Sequence, residues 1–435
     1  MSSAVVQHQK RRRWIFLLLT LTLSFGVCEL ISRIGVWIIG GQSWPLTQRS
    51  LATSGLDRDE YGEVLHPYLG YCHDPQSSPG YDFTAGHVDT NRLGLSGNLD
   101  PVQQRGPERL VIGILGGSFA WNFGFEAADD IRDGLRSDPR FADRDIRIVN
   151  LALPGFKQPQ QVMALNYVLA LGGEFDLVLN LDGFNEVALG FENWGARVAA
   201  AYPKGWPIRV HDVPDNRRLT ESYEVFALRA KRQAIARSVV DSPSRGLALR
   251  QVWWKLQDQS LEKRLIALCN GIFAAREAEG RPFAVVGPFD AAVNQTEQFQ
   301  HTVQLWARCS RQLNAVTVAQ GGGYIHALQP NQYLPDCKPL SPFELSQAYD
   351  LDSDYCLSVT TAYPQLQAAG RELRADGLRF VDLTGVYRNH AETLYIDWCC
   401  HVNREGYRIL AAALLPEMLS TLVVDTETDS TPDVK

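Results

Sequence analysis

Trp14 to Cys28 reads W-I-F-L-L-L-T-L-T-L-S-F-G-V-C, fifteen residues without a charge, and apolar character resumes after Glu29 and runs to Gly41, broken only by Arg33. At ~1.5 Å per residue, about 20 apolar residues in a helix cross the hydrocarbon core of a bilayer. The pattern predicts a transmembrane helix over residues 14–40, with Glu29 and Arg33 at i, i+4 spacing where they can pair. Lys10, Arg11, Arg12 and Arg13 precede it. Positive charge before a span keeps that side cytoplasmic, so residues 1–13 read as a cytoplasmic tail and residues beyond about 42 as lying outside the cytoplasm. A cleaved signal peptide competes, since Ser24 and Gly26 are small enough for a cleavage site. The apolar stretch outruns a signal h-region, which favours an uncleaved anchor.

Residues 43–108 show few periodic runs and read as a lead-in packed on the main domain. From Arg109 the texture changes. Leu110–Leu115 is a short continuous apolar run, the pattern of a strand buried on both faces. Similar runs recur at Ile146–Leu151, Phe175–Leu181, Phe283–Val286 and Phe380–Leu383. Helical periodicity lies between them: residues 158–171 place Val162, Leu165, Val168 and Leu169 on one face, and 301–318 and 404–422 are similar. Strands alternating with helices predict an α/β domain over 109–423 with a parallel sheet and helices on both faces. Insertions are expected at about 190–280, helical in character, and at 329–365, marked by Pro330, Pro335, Pro339 and Pro342. The acidic, polar stretch 424–435 reads as a disordered tail.

Composition narrows the function. At 435 residues the chain has room for two to four domains of roughly 100–200 residues. Its 42 basic and 49 acidic residues leave a net charge of −7, which argues against a nucleic-acid binder. Apart from Cys28 in the anchor, seven cysteines remain, an odd number that leaves at least one unpaired. Disulfides are permitted outside the cytoplasm, and Cys337 with Cys356 is the sequence-local candidate. No C-x-x-C or zinc spacing occurs. The adjacent Cys399 and Cys400 read either as a redox or metal pair or as one packed thiol beside one that pairs or stays free.

In an open parallel sheet, ligands bind beyond the carboxyl ends of the strands. After the first run comes Gly116-Gly117-Ser118, after the second Asn150-Leu151-Ala152-Leu153-Pro154-Gly155, and after the third Asp182-Gly183-Phe184-Asn185-Glu186. Near the C-terminus stands Asp397-Trp398-Cys399-Cys400-His401-Val402-Asn403. Singly, these segments are a tight turn, loop punctuation, a helix cap and a structural histidine. Together, three strand ends supply Ser, Gly and Asn, and an acid–His pair precedes a terminal helix.

That assembly resembles the SGNH (GDSL-type) hydrolase superfamily over residues 109–190 and 379–422. His66-Pro-Tyr-Leu-Gly70 and Asn91-Arg-Leu-Gly94 look like lead-in segments of its membrane-anchored bacterial members. The resemblance implies a three-layer, flavodoxin-like parallel sheet and serine-hydrolase chemistry. Ser118 would be the nucleophile, His401 its general base and Asp397 the acid that orients the base. The Ser118 and Gly155 N–H groups and the Asn185 side chain would form the oxyanion hole. The chemistry is coherent, because a serine hydroxyl needs a base, the base needs a carboxylate, and the oxyanion needs fixed donors. It calls for no cofactor and no metal. Two departures stand out. Gly-Gly-Ser replaces the usual Gly-Asp-Ser, and D-x-x-x-H replaces D-x-x-H, with Trp398 at the usual acid position. The loop either bulges by one residue or leaves the role to Asp382, and His390 is a distant rival to His401.

The expected activity is cleavage of an ester on a small molecule, a lipid or an envelope glycan. An O-acyltransferase using the same triad and a non-catalytic binding scaffold are the alternatives. Trp194, Trp206, Trp253 and Trp254 read as sugar-stacking residues or local core. Leu328-Gln329-Pro330 reads as a cleft-lining strand end or a turn, and Gly321-Gly322-Gly323 as flexible linkage.

Overall fold

A computed structural model of the chain describes residues 3–40, 63–76, 80–84, 86–210, 219–244, 246–278, 282–291 and 293–422. The expected acidic tail and the first part of the lead-in lie outside them. The chain opens on helix α1 (Ser3–Gly40), followed by two antiparallel hairpins, β1 (Glu63–His66) with β2 (Gly70–His73) and β3 (Tyr81–Phe83) with β4 (Gly86–Val88). There follow β5 (Arg109–Gly116), α2 (Ser118–Glu126), α3 (Ala128–Arg136), β6 (Asp145–Asn150), α4 (Gln160–Ala170), β7 (Leu177–Asp182) and α5 (Phe184–Gly195). A single helical turn, α6 (Trp206–Arg209), precedes the long helices α7 (Leu219–Val240) and α8 (Ala248–Ala278). Another single turn, α9 (Phe283–Val286), leads into α10 (Gln295–Ala319), β8 (Gly323–Leu328), α11 (Pro342–Gln347), α12 (Asp354–Ala375), β9 (Phe380–Asp382) and α13 (Arg404–Thr421).

Two compact units result, residues 1–62 with 211–281, and residues 63–210 with 282–435. The second is α/β. Its five-stranded sheet runs β6-β5-β7-β8-β9, every neighbouring pair parallel. In chain order of these strands that is 2-1-3-4-5. Every residue of β7 and all of β5 after Arg109 are buried, so both faces of the sheet are covered. Helices α4, α5, α10 and α12 pack together as one layer, and α2, α3 and α13 as the other. One continuous core joins the layers through Leu115, Leu179, Phe119, Trp306 and Leu414. Each such side chain removed from water stabilises the fold by roughly 1.5–3 kcal/mol.

The run at Phe283–Val286 is a helical turn, not the expected strand. Pro282 enters it at φ −59°, ψ 145°, and Gly287 ends it at φ +66°, leaving too few residues for a ladder. The place beside β7 is taken by β8, paired from Leu177↔Gly323 to Asp182↔Leu328. Gly321–Gly323 is accordingly a packed turn feeding β8 rather than a linker, since a Cβ on Gly322 would lie 2.5 Å from the Phe175 carbonyl oxygen.

The other unit is helical. Residues 11–35 of α1 form a segment long and apolar enough to cross a membrane, and Trp14, Phe16, Leu18 and Leu23 are among its exposed side chains. Glu29 pairs with Arg33 at 3.6 Å, as the spacing predicts. It also accepts the Ala248 N–H at 2.7 Å and the Leu249 N–H at 3.1 Å, capping the start of α8. Val225 and Leu228 of α7 pack against Leu265 and Ile272 of α8.

Candidate active site

The three strand ends meet at one place. After β5 the backbone turns at Gly116, where φ is +147° and a Cβ would stand 2.2 Å from the Leu181 carbonyl oxygen, so only glycine fits. Gly117 caps α2 in an extended conformation (φ −94°, ψ −154°). Ser118 opens the helix, where first-turn N–H groups have no partner within the helix. A Cβ on Gly117 would fall 2.0 Å from Asn185 Nδ2 and 2.9 Å from the Phe156 carbonyl oxygen. Glycine in place of the aspartate of the resembled motif is therefore a requirement of space, because the Asn185 amide fills the volume a side chain would need.

The other wall is a hairpin loop before α13. Tyr395 bridges Val402, and the Ile396 N–H donates to the His401 carbonyl at 3.0 Å. Inside this loop Asp397 Oδ1 accepts the backbone N–H groups of Cys399 (3.0 Å), Cys400 (3.1 Å) and His401 (3.2 Å). Its Oδ2 lies 2.6 Å from His401 Nδ1, and His401 Nε2 lies 2.7 Å from Ser118 Oγ. The extra residue in D-x-x-x-H is taken up by this coil of three N–H groups around one carboxylate oxygen. Burial pushes the Asp397 carboxyl up, but the hydrogen bond and charge of His401 and the backbone donors outweigh it and hold the group below its ordinary value. Burial likewise pushes His401 down, and the Asp397 hydrogen bond, with the electrostatic influence of Cys399 and Asp397, outweighs it, leaving the imidazole above its ordinary 6.5.

Gly155 adopts φ +80°, and a Cβ there would meet the Tyr71 hydroxyl at 2.7 Å. That hydroxyl donates to the Pro154 carbonyl at 2.7 Å, so the lead-in braces the Gly155 turn. Asn185 Nδ2 donates one hydrogen to the Phe156 carbonyl at 2.8 Å and keeps its second. Gly117, the 155–156 turn and Asn185 thus pack at one spot beside Ser118.

A buried polar scaffold lies beneath. Glu186 accepts from the N–H groups of Gly183 (2.9 Å) and Gln158 (3.0 Å) and from Gln161 Nε2 (2.9 Å), tying the Asn185 turn to the Gly155 loop. Burial and the charge of Asp182 push its carboxyl up to about 8. Asp182 is held by Trp306 Nε1 at 2.7 Å, His326 Nε2 at 2.9 Å and Asn180 Nδ2 at 2.9 Å. Burial pushes it up, and the charge and hydrogen bonds of these partners, His326 foremost, bring it below the ordinary value. The residues after β8 clamp the His401 loop. Asn331 donates to the Cys399 carbonyl, Gln332 to that of Asp397 and Tyr333 to that of Trp398 at 2.6 Å.

The opposite rim comes from residues 200–204. Buried Lys157 donates to the Ala200 carbonyl and to that of Tyr202 at 2.6 Å, and burial pushes its ammonium down to about 7. This anchors the strap that carries Lys204, which is exposed. Its Cδ would be 3.2 Å from a Cβ on Gly155, and its charge reaches His401 and Cys399. Trp398 is half-exposed and stacked on Tyr355, with ring centroids 5.0 Å apart and planes at 19°. Neither Lys204 nor the scaffold around Lys157 and Glu186 is marked by a sequence pattern.

Ser118, Gly155, Asn185, Asp397 and His401 are therefore brought together. Asp382 is not among them, since its carboxylate accepts from Thr384 (N–H 3.0 Å, Oγ1 2.6 Å) and Gln367 Nε2 (3.0 Å). His390 turns to Glu392 at 2.7 Å. Trp254 is core, Trp206 donates to the Ala284 carbonyl, and Trp194 stacks on Phe191. Cys337 and Cys356, the sequence-local candidates for a disulfide, are both unbridged thiols. Cys337 Sγ instead faces the Gln332 carbonyl at 3.6 Å, and Cys356 packs in the first turn of α12. Cys399 and Cys400 bring their Sγ atoms to 3.5 Å. The Cys400 hydrogen bond, helped by His401 and opposed by burial, holds the Cys399 thiol below its ordinary value. No protein-family model matches the chain, and the search of curated proteins finds no match.

Proposed function

We propose that the chain is a membrane-anchored serine hydrolase of SGNH type that cleaves an ester through an acyl-serine intermediate. The observation that carries this reading is the continuous chain Ser118 Oγ–His401–Asp397, at 2.7 and 2.6 Å. With Nδ1 donating to Asp397, Nε2 is free to take the Ser118 proton as Oγ attacks the ester carbonyl. The developing oxyanion falls to the Ser118 and Gly155 N–H groups and the second hydrogen of Asn185 Nδ2, each such donor contributing about 2.7–4 kcal/mol. His401 then gives its proton to the leaving alkoxide, and water, activated the same way, releases the acyl group. The 2-1-3-4-5 strand order, that of flavodoxin-like sheets, supports the fold assignment. The span-capable segment 11–35, whose apolar run begins at Trp14 behind Lys10, Arg11, Arg12 and Arg13, supports an anchor with the α/β unit outside the cytoplasm.

Lys204 and the half-exposed Trp398, backed by Tyr355, favour an O-acyl ester on a glycan that bears negative charge, since aromatic faces stack on sugar rings and the ammonium attracts an anion. The same triad would serve a sugar hydroxyl in place of water as acceptor, so O-acyl transfer is the second reading. Comparing acyl release with and without a glycan acceptor separates the two. The hydrogen-bonded triad speaks against a purely non-catalytic scaffold. Ser118→Ala is expected to abolish turnover of a short acyl ester with an unchanged melting temperature. Retained turnover would remove the serine mechanism.

A further inference from the structure

The His401 loop carries more donors than acyl transfer uses. Cys399 Sγ, Cys400 Sγ and a His401 ring nitrogen lie within 4.8 Å of one another. Adjacent residues in an extended segment point their side chains apart. Here the coil of backbone around Asp397 Oδ1 turns both thiols the same way, 3.5 Å apart. Two sulfurs bonded to one tetrahedral zinc at ~2.3 Å stand about 3.8 Å apart, so the thiols already hold a chelating separation. The His401 ring completes the set with a shift of about an ångström, the distance from 4.8 Å to the ~3.6 Å edge between a zinc-bound sulfur and nitrogen. Cys399 is partly exposed, which gives an ion a way in, and Cys400 is buried.

We propose that Cys399, Cys400 and His401 form an inhibitory site for a thiophilic divalent metal of the zinc class. The consequence for the serine chemistry rests on the proposed function and comes from counting nitrogens. His401 has two, Nδ1 bonded to Asp397 and Nε2 to Ser118. Whichever one binds the metal, the relay loses a link, so metal binding and activation of Ser118 exclude one another. Binding converts two thiols to thiolates and releases two protons to solvent.

The test uses the full-length, reduced protein in detergent, with Cd²⁺ alone as the spectroscopic probe and Zn²⁺ as competitor. A cadmium–thiolate ultraviolet band saturating at one ion per chain is expected, with affinity at least about tenfold weaker in both Cys399→Ser and Cys400→Ser. Zinc is expected to slow fluorophosphonate labelling of Ser118 at least tenfold and to be reversed by a chelator. The labelling rate of Cys399→Ser should no longer respond to zinc. Unchanged cadmium binding in both variants overturns the site, and unchanged Ser118 labelling of the zinc-loaded protein overturns ligation by His401. If metal-free protein does not label at all, the serine mechanism fails, while the cadmium band still decides the metal site.

Discussion

Gly117→Ala isolates the geometry of the proposed oxyanion hole from everything else at the candidate site. The backbone at Gly117 is extended, at φ −94° and ψ −154°, so alanine adds no backbone strain. What it adds is one methyl group, 2.0 Å from Asn185 Nδ2 and 2.9 Å from the Phe156 carbonyl oxygen, where ordinary contact begins near 3.4 Å. The Asn185 amide must therefore retreat by about 1.4 Å, the difference between 3.4 and 2.0 Å. Misplacement by about 1 Å costs on the order of 10²-fold in rate, and loss of one oxyanion donor costs roughly 10²–10³ in kcat, or about 2.7–4 kcal/mol. Gly117→Ala and Asn185→Ala should each lower kcat for a short acyl ester by that amount, with KM changing less. Because both remove the same donor, the double variant should be no slower than either single one, giving a coupling energy about equal to one single effect. Thermal melts of all three check the fold. Full activity in Gly117→Ala, or losses that simply add in the double variant, would refute the placement of Asn185 as a donor.

Asp397→Asn should lower kcat by on the order of 10⁴ by setting the wrong imidazole tautomer, whereas Asp382→Asn, whose partners are Thr384 and Gln367, should leave kcat near wild type. The reverse ranking would move the orienting role to Asp382. Since His401 must be neutral to act as base and is held above 6.5, the acid limb of kcat/KM should lie above pH 6.5, and a limb below it contradicts the pairing. Lys204→Ala should raise KM for an anionic acyl ester severalfold more than for a neutral one, and equal changes would remove Lys204 from substrate selection. Folded Glu186 keeps its proton up to about pH 8, while the unfolded carboxyl releases it near its ordinary value of 4.5. Its contribution to stability should therefore fall as pH rises from about 4.5 to 8. The urea midpoint should show that fall in wild type and less of it in Glu186→Gln, and identical pH slopes would contradict it.

Much of the sheet is legible in the chain because its central strands are buried on both faces and so appear as unbroken apolar runs. The two misread segments have separate causes. A four-residue apolar run is the same for a strand and a helical turn, so Phe283–Val286 attracts a strand assignment that Pro282 and Gly287 cancel. Strand β8, G-Y-I-H-A-L, shows in sequence only as a strand end at Leu328, because its histidine is polar in sequence but buried against Asp182, Ser310 and Trp306. The five candidate site residues are readable because each follows a strand or precedes the last helix. How the D-x-x-x-H spacing brings Asp397 onto His401 is not readable, because it lies in three N–H groups coiling onto Asp397 Oδ1. Lys204, Lys157, Glu186 and the Asn331–Tyr333 clamp owe their positions to tertiary packing and leave no periodic trace. The same holds for the convergence of the Cys399 and Cys400 thiols.

The central claim is that Ser118 is a nucleophile activated by His401, and fluorophosphonate labelling of the intact, folded protein tests it most directly. The expected result is about one label per chain, mapped to Ser118 by peptide mass, absent in Ser118→Ala and slowed at least 10²-fold in His401→Ala. A folded wild-type protein that takes no label, or that labels at another residue with Ser118 untouched, would contradict it.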